Sequence, residues 1–320
     1  MPRARLSRTT VAGYEALVLE NAHLRAVILP ALGGRVWTLD DLPRGRQWIW
    51  HRGTVPLTAC RPGASYDDVW AGGWEELFPN DAAGPFEGRN LPDHGEWWTM
   101  AWDAATAEDD NGVSVTLTAT ARIVRAACTK TFRLAHDGAA LSVAYAIQSL
   151  EDRPFHFLFK QHLPVQITSA CRLALPGGRV EAVDPAFGTV LPGPGPFEWA
   201  APDAAGSPAG DLRPVPPAAS QSREFVYVSA LPEPWCGVDD TEAGASLRMT
   251  FDAGVFPFTW LFLSYGGWRD VYTAVLEPCT NKPKDLAEAV RRGQSARLSP
   301  GETFRAEIVV RLGALAAGGR

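Results

Sequence analysis

The stretch FHFLFKQHLPV, residues 155–165, decides how this chain is read. Its residues alternate in character with a period of two, which is the signature of a strand. Phe155, Phe157, Phe159, Gln161 and Leu163 fall on one side, apolar enough to face a core. His156, Leu158, Lys160 and His162 fall on the other, and two imidazoles with an ammonium are costly to bury without partners. That face is expected to line a wet cleft; an ordinary solvent-exposed face is the plainer alternative.

The same texture recurs outward from this stretch in both directions. Alternating or β-branched runs mark strands near 14–20, 24–29, 35–39, 47–51, 113–121, 128–134 and 141–149. More follow near 171–175, 225–229, 246–251, 259–264, 271–277 and 304–312. One helix is expected over 286–292, with Asp285 as its N-cap and Gly293 as its stop. So many strands against one short helix predict an all-β architecture of two large, mainly antiparallel sheets packed face to face. No break in composition divides residues 1–320, so a single domain is expected, with the Ala-, Pro- and Gly-rich stretch 200–220 as a surface loop.

Composition narrows the function. The formal net charge is −6 with no basic block, which argues against a nucleic-acid partner. No apolar run is long enough to span a bilayer. The first twenty residues lack the apolar segment of a secretion signal, and the five cysteines show no zinc spacing. A cytoplasmic monomer or homodimer is the expectation.

Twelve tryptophans are many for this length, and several lie in VWAGGWEELFPNDAAGPFEGRNLPDHGEWW, residues 69–98. Gly and Pro interrupt it every few residues, so it reads as a long irregular loop, the kind that carries function. Flat indole faces suit sugar rings and carboxylates suit hydroxyls. Trp74, Glu75, Glu96 and Trp97 are the expected sugar contacts here; the alternative is that the rings plug one end of the β-core. A third element is VYTAVLEPCTNKP, residues 271–283, in which Glu277 closes an apolar strand ahead of Pro278. A carboxylate at that place is either catalytic or bonded to loop amides.

PALGGRV at 30–36, then His94-Gly95, then a strand bearing His162, then Leu276-Glu277-Pro278 with Thr280, together resemble the aldose 1-epimerase (galactose mutarotase-like) superfamily. The resemblance spans roughly residues 19–312 and implies a large β-supersandwich. It also implies that Glu277 is the general base on the anomeric hydroxyl. Of His94 and His162, one is the acid on the ring oxygen and the other helps to hold that oxygen. Arg35 matches a recurrent position near the N-terminus whose role is structural more often than catalytic, and it is a further candidate for contact with the substrate. Gln161 before His162, Leu163-Pro164 after it, and PDHGEWW around His94 depart from the galactose enzymes, so the chain reads as a divergent member.

Anomer exchange needs one base and one acid that trade roles, which a carboxylate beside an imidazole supplies. No metal and no redox cofactor is expected: there is no glycine-rich dinucleotide loop and no P-loop. The expected partner is a monosaccharide or sugar derivative, neutral or anionic. Lys160 is the cation that would meet a phosphate, sulfonate or carboxylate on the sugar, unless it pairs with Glu75 or Glu76. Two other readings stand beside the mutarotase: a carbohydrate-binding protein without turnover, and a glycoside hydrolase or lyase relative using carboxylates among Glu75, Glu76, Asp81 and Glu96.

Overall fold

A computed structural model of the chain describes residues 3–199 and 211–316. It contains three large antiparallel sheets. The first is a meander of Arg5–Val11, Tyr14–Glu20, Leu24–Leu29, Arg35–Asp41 and Arg46–Gln47. The second, of eight strands, runs in the order Cys171–Ala174, Trp235–Asp240, Ala245–Phe251, Thr303–Ala314, Ala140–Ser149, Ala126–Ala135, Gly112–Ala121, Asp103–Asp109. The third, of seven, runs Phe197–Glu198, Arg179–Ala182, Ser222–Ser229, Phe258–Tyr265, Tyr272–Cys279, Lys160–Gln166, Glu75–Leu77.

Strand periodicity explains how these sheets share a core. In the eight-stranded sheet Val115, Phe132, Val143, Ile308 and Phe251 lie directly opposite one another in register, one apolar row across five strands. Leu163, Leu276, Leu261 and Val226 form the matching row in the seven-stranded sheet. Both rows belong to one apolar cluster, which also takes in Leu17, Leu19 and Ile28 of the meander. Each fully buried side chain of this size contributes about 1.5–3 kcal/mol. Hydrogen bonds from Trp50 N to Pro164 O (2.9 Å) and from Gln166 N to Trp48 O (2.7 Å) tie the segment after the meander to the strand Lys160–Gln166, beyond the end of the short edge strand Glu75–Leu77. Those two sheets therefore form one layer and the eight-stranded sheet the other, a β-supersandwich.

The helix spans Leu286–Arg291, with the Asp285 side chain accepting from Glu288 N at 2.7 Å and Gly293 left-handed beyond it. Two expectations need correction. Residues 155–165 are not one strand: Phe155–Phe157 pairs with Ala296–Leu298, and the large sheet starts only at Lys160. The break arises because Leu158 N donates to Pro79 O and Phe159 N to Thr280 Oγ1, outside any ladder. His156 is thereby carried to Ser295, 2.8 Å away. Segment 69–98 is also more regular than expected, holding the strand Glu75–Leu77 and a hairpin of Gly84–Phe86 with Arg89–Leu91. Of the loop expected at 200–220, residues 200–210 lie outside the described residues; Ala218–Ser220 is a 3-10 turn.

Candidate functional site

The apolar row of the seven-stranded sheet faces the core, so its neighbours one residue along face away from it. Tyr227, Trp260 and Glu277 lie side by side in register on this outer face, and His162 lies beside Glu75 on it. Lys160, two residues before His162, shares their orientation. Loops cover the face. Tyr66 opens the single-turn helix Tyr66–Val69 and packs with Trp50, Trp70, Trp98 and Val275. His94 and Gly95 are both left-handed, at φ 60° and 68°. A Cβ at residue 95 would come within 2.2 Å of Phe78 O, so only glycine allows the loop to close down here. That turn lays the His94 ring flat on Tyr66, with centroids 3.8 Å apart and planes 5° from parallel.

The result is a cleft of about 320 Å³ whose floor carries Lys160, His162 and Glu277 and whose walls include His94, Tyr66, Trp70 and Trp268. Glu277 is the hub: its Oε2 accepts from Lys160 Nζ at 2.8 Å, and its Oε1 lies 3.5 Å from His162 Nε2. Lys160 Nζ also contacts Asp81 Oδ2 at 2.5 Å. His162 Nδ1 is 3.2 Å from the Tyr66 hydroxyl, which donates to Glu75 Oε1 at 2.5 Å. Asp93 accepts from His94 Nδ1 at 2.8 Å.

Burial sets the electrostatics. It raises the pKa of Glu277, against the pull of Lys160, making this carboxylate more basic than usual. Burial opposes charge on Lys160 too, but Asp81 and Glu277 outweigh it and the ammonium is held firmly protonated. The two imidazoles diverge. Burial, with the positive charge of Lys160, drives His162 well below the ordinary histidine value. His94 is buried as well, yet its hydrogen bond to Asp93 and the nearby Asp81 raise it. Groups pushed apart in this way are suited to opposite proton-transfer roles.

His94, His162, Glu277 and Lys160 thus share one cleft, while the other expected contacts lie elsewhere. Trp74 is core, its Nε1 donating to Gln161 Oε1 at 2.9 Å, because strand pairing turns it inward. Trp97 is fully buried against Phe78, Trp102 and Phe159. Glu96 lies outside the cleft and accepts from the backbone of Arg122 and Ile123, which pins a turn. Glu75 lies beneath the cleft, bound to Tyr66 and, at 2.9 Å, to Arg35. Arg35 also donates to the carbonyls of Leu32, Gly72 and Trp98. Lys160 is not a free cation, and its partners are Asp81 and Glu277, not Glu75 or Glu76. Glu76 faces the core, paired with Lys130 at 2.6 Å and Tyr145 at 2.7 Å.

Sequence reasoning missed Tyr66, Asp93 and Trp268. Tyr66 sits only three residues before the segment singled out, in SYDDVW, where nothing distinguishes it from a surface tyrosine.

A two-layer β-supersandwich with a polar cleft on the outer face of one sheet defines the class of protein. Within that class the fold is the galactose mutarotase-like one. A galactose mutarotase-like protein from Clostridium acetobutylicum superposes with a TM-score of 0.70 over 98% of this chain and 99% of its own, at 12% identity. A galactose mutarotase related enzyme from Lactobacillus acidophilus gives 0.65 over 94% and 98%, at 11% identity. A galactose mutarotase-like protein from Lactobacillus casei gives 0.63 over 93% and 100%, at 15% identity. No family model matches the sequence, and a search of curated proteins finds no match. At these identities the likeness is one of fold. Among the described residues no helix is long and apolar enough to cross a membrane.

Proposed function

We propose that this protein is an aldose 1-epimerase-like isomerase that opens and recloses a sugar ring by general acid–base catalysis. The observation that carries the proposal is the Glu277–His162 contact of 3.5 Å on the floor of a cleft with aromatic walls. Glu277, made more basic by burial, takes the proton from O1 of the sugar. His162 gives one to the ring oxygen as the C1–O5 bond breaks. Rotation about C1–C2 turns the aldehyde, and the same groups reverse roles to close the ring on its other face. His94, which Asp93 favours as a cation, holds the ring oxygen as negative charge grows there. Each positioned acid or base contributes about 10²–10⁴-fold.

The substrate favoured is a neutral sugar. The cleft carries Asp67, Asp81, Asp93, Asp184 and Glu277 against Lys160 and Lys284, and Lys160 is already held by two carboxylates. An anionic substituent would enter an acidic pocket. A glycoside hydrolase is less well supported, since of Glu75, Glu76, Asp81 and Glu96 only Asp81 lines the cleft, and Lys160 holds it. Exchange NMR or polarimetry on freshly dissolved neutral aldoses tests the proposal. Anomer exchange should run well above its spontaneous rate for at least one of them. Saturable binding without acceleration would instead make this a sugar-binding protein.

A further inference from the structure

We propose that Arg35, Glu75 and Tyr66 are positioning residues that lock His162 as its Nδ1–H tautomer and turn a bare Nε2 toward Glu277. A phenol has one proton to give. Tyr66 directs it to Glu75 Oε1 at 2.5 Å, and Arg35 Nη2 holds the other oxygen of that carboxylate at 2.9 Å. The remaining lone pair of the Tyr66 oxygen faces His162 Nδ1 at 3.2 Å. Two lone pairs at that distance would repel, so Nδ1 carries the hydrogen and donates it. The reverse polarity would need a neutral Glu75 beside a guanidinium, which the Arg35 contact opposes. Glu75 is 0%, Tyr66 2% and Arg35 6% exposed, so bulk water does not offer any of them a competing partner.

The catalytic consequence rests on the anomer-exchange reading. With Nδ1 committed, His162 acts as an acid only after Nε2 gains a proton, and Glu277 Oε1 lies 3.5 Å away. The pair then holds one proton throughout. Its transfer from Glu277 to His162 makes a carboxylate and an imidazolium together. The carboxylate takes the O1 proton while the imidazolium protonates O5, and the C1–O5 electron pair leaves on that oxygen. Ring opening therefore ends with Glu277 protonated and His162 neutral, as it began.

Long-range ¹H–¹⁵N correlation spectra of the imidazoles test the relay without any sugar, so its failure is separable from an absence of anomer exchange. At neutral pH His162 should show a protonated, pyrrole-type Nδ1 and a pyridine-type Nε2. Tyr66→Phe keeps the ring stacked on His94 but removes the acceptor, and the spectrum should shift toward the Nε2–H form. Glu75→Gln can donate to the phenol, which frees the Tyr66 proton for Nδ1 and should cause the same shift; it serves if Tyr66→Phe does not fold. In active enzyme either change should lower kcat by roughly 10–100-fold at little altered KM, by analogy with the loss seen when the outer partners of metal-bound histidines are removed. An Nε2–H or doubly protonated His162 in the wild type overturns the proposal. So does a tautomer that neither substitution moves.

Discussion

Lys160→Met removes the cation that lies between two carboxylates and keeps most of its volume. Asp81 Oδ2 and Glu277 Oε2 lie 2.5 and 2.8 Å from the same nitrogen, so they are at most about 5 Å apart. At an effective dielectric constant of ~20, two like charges at ~5 Å repel by about 3 kcal/mol. In the wild type Lys160 offsets that repulsion. In the variant it is relieved only by binding a proton, and about 3 kcal/mol corresponds to roughly two pH units. The proton should settle on Glu277, whose side chain is 2% exposed against 8% for Asp81, because burial penalises the charged form. Lost attraction to Lys160 acts in the same direction, so the figure is a lower bound. In the proposed relay Glu277 holds the one proton that it passes to His162, and in the variant it keeps that proton up to a higher pH. Anomer exchange followed by NMR from weakly acidic to alkaline pH should show the alkaline limb of the rate profile, where the pair loses its proton, displaced upward by about two pH units. His94, His162 and Asp93 face the same cleft and titrate with it, so the limb belongs to the cluster as a whole. An alkaline limb at the wild-type pH, in a variant shown by circular dichroism to be folded, would refute the reasoning.

Two further outcomes follow from the same geometry. Glu277→Gln keeps the shape and leaves Lys160 paired with Asp81, so the fold should survive while kcat falls by about 10²–10⁴-fold, measured by exchange NMR with sugar binding checked by calorimetry. Lys130→Met leaves Glu76 charged and without its ammonium between the sheets, where both are essentially inaccessible; unfolding in urea should reveal a loss of about 3–5 kcal/mol.

The long strands were legible in the sequence because each buries one face and so alternates, as Gly112–Ala121 and Ala126–Ala135 do. Arg5–Val11 and Asp103–Asp109 were not: both are edge strands, and RLSRTTV and DAATAED are too polar or small to carry a period-two apolar signal. Short strands such as Glu75–Leu77 exist only through their neighbours, which no local pattern records. The residues of the cleft divide in the same way. His162 stood out on a strand face shared with Lys160, Glu277 as a carboxylate closing an apolar strand, and His94 through its glycine. Tyr66 and Asp81 matter only because distant segments bring partners to them. The tryptophans misled because an indole serves a core as well as a sugar: Trp74 and Trp97 fill the interior, whereas Trp70 and Trp268 meet the cleft.

The three-residue strand Glu75–Leu77 has a bearing on the order of folding. Glu75 reaches Arg35 of the meander, Glu76 reaches Lys130 and Tyr145 of the eight-stranded sheet, and both residues pair with the strand Lys160–Gln166. It works as a clasp across all three sheets. The contacts it organises span 54 residues from Glu76 to Lys130, 69 from Glu76 to Tyr145 and 96 from Tyr66 to His162, and the Lys160–Glu277 pair closes 117 more. Contacts this far apart in sequence carry the loop-closure cost that slows folding, and they become favourable only once the partners on every side are in place. The cleft is therefore a late product of assembly. A chain whose last strands are not yet in place holds only fragments of the cleft.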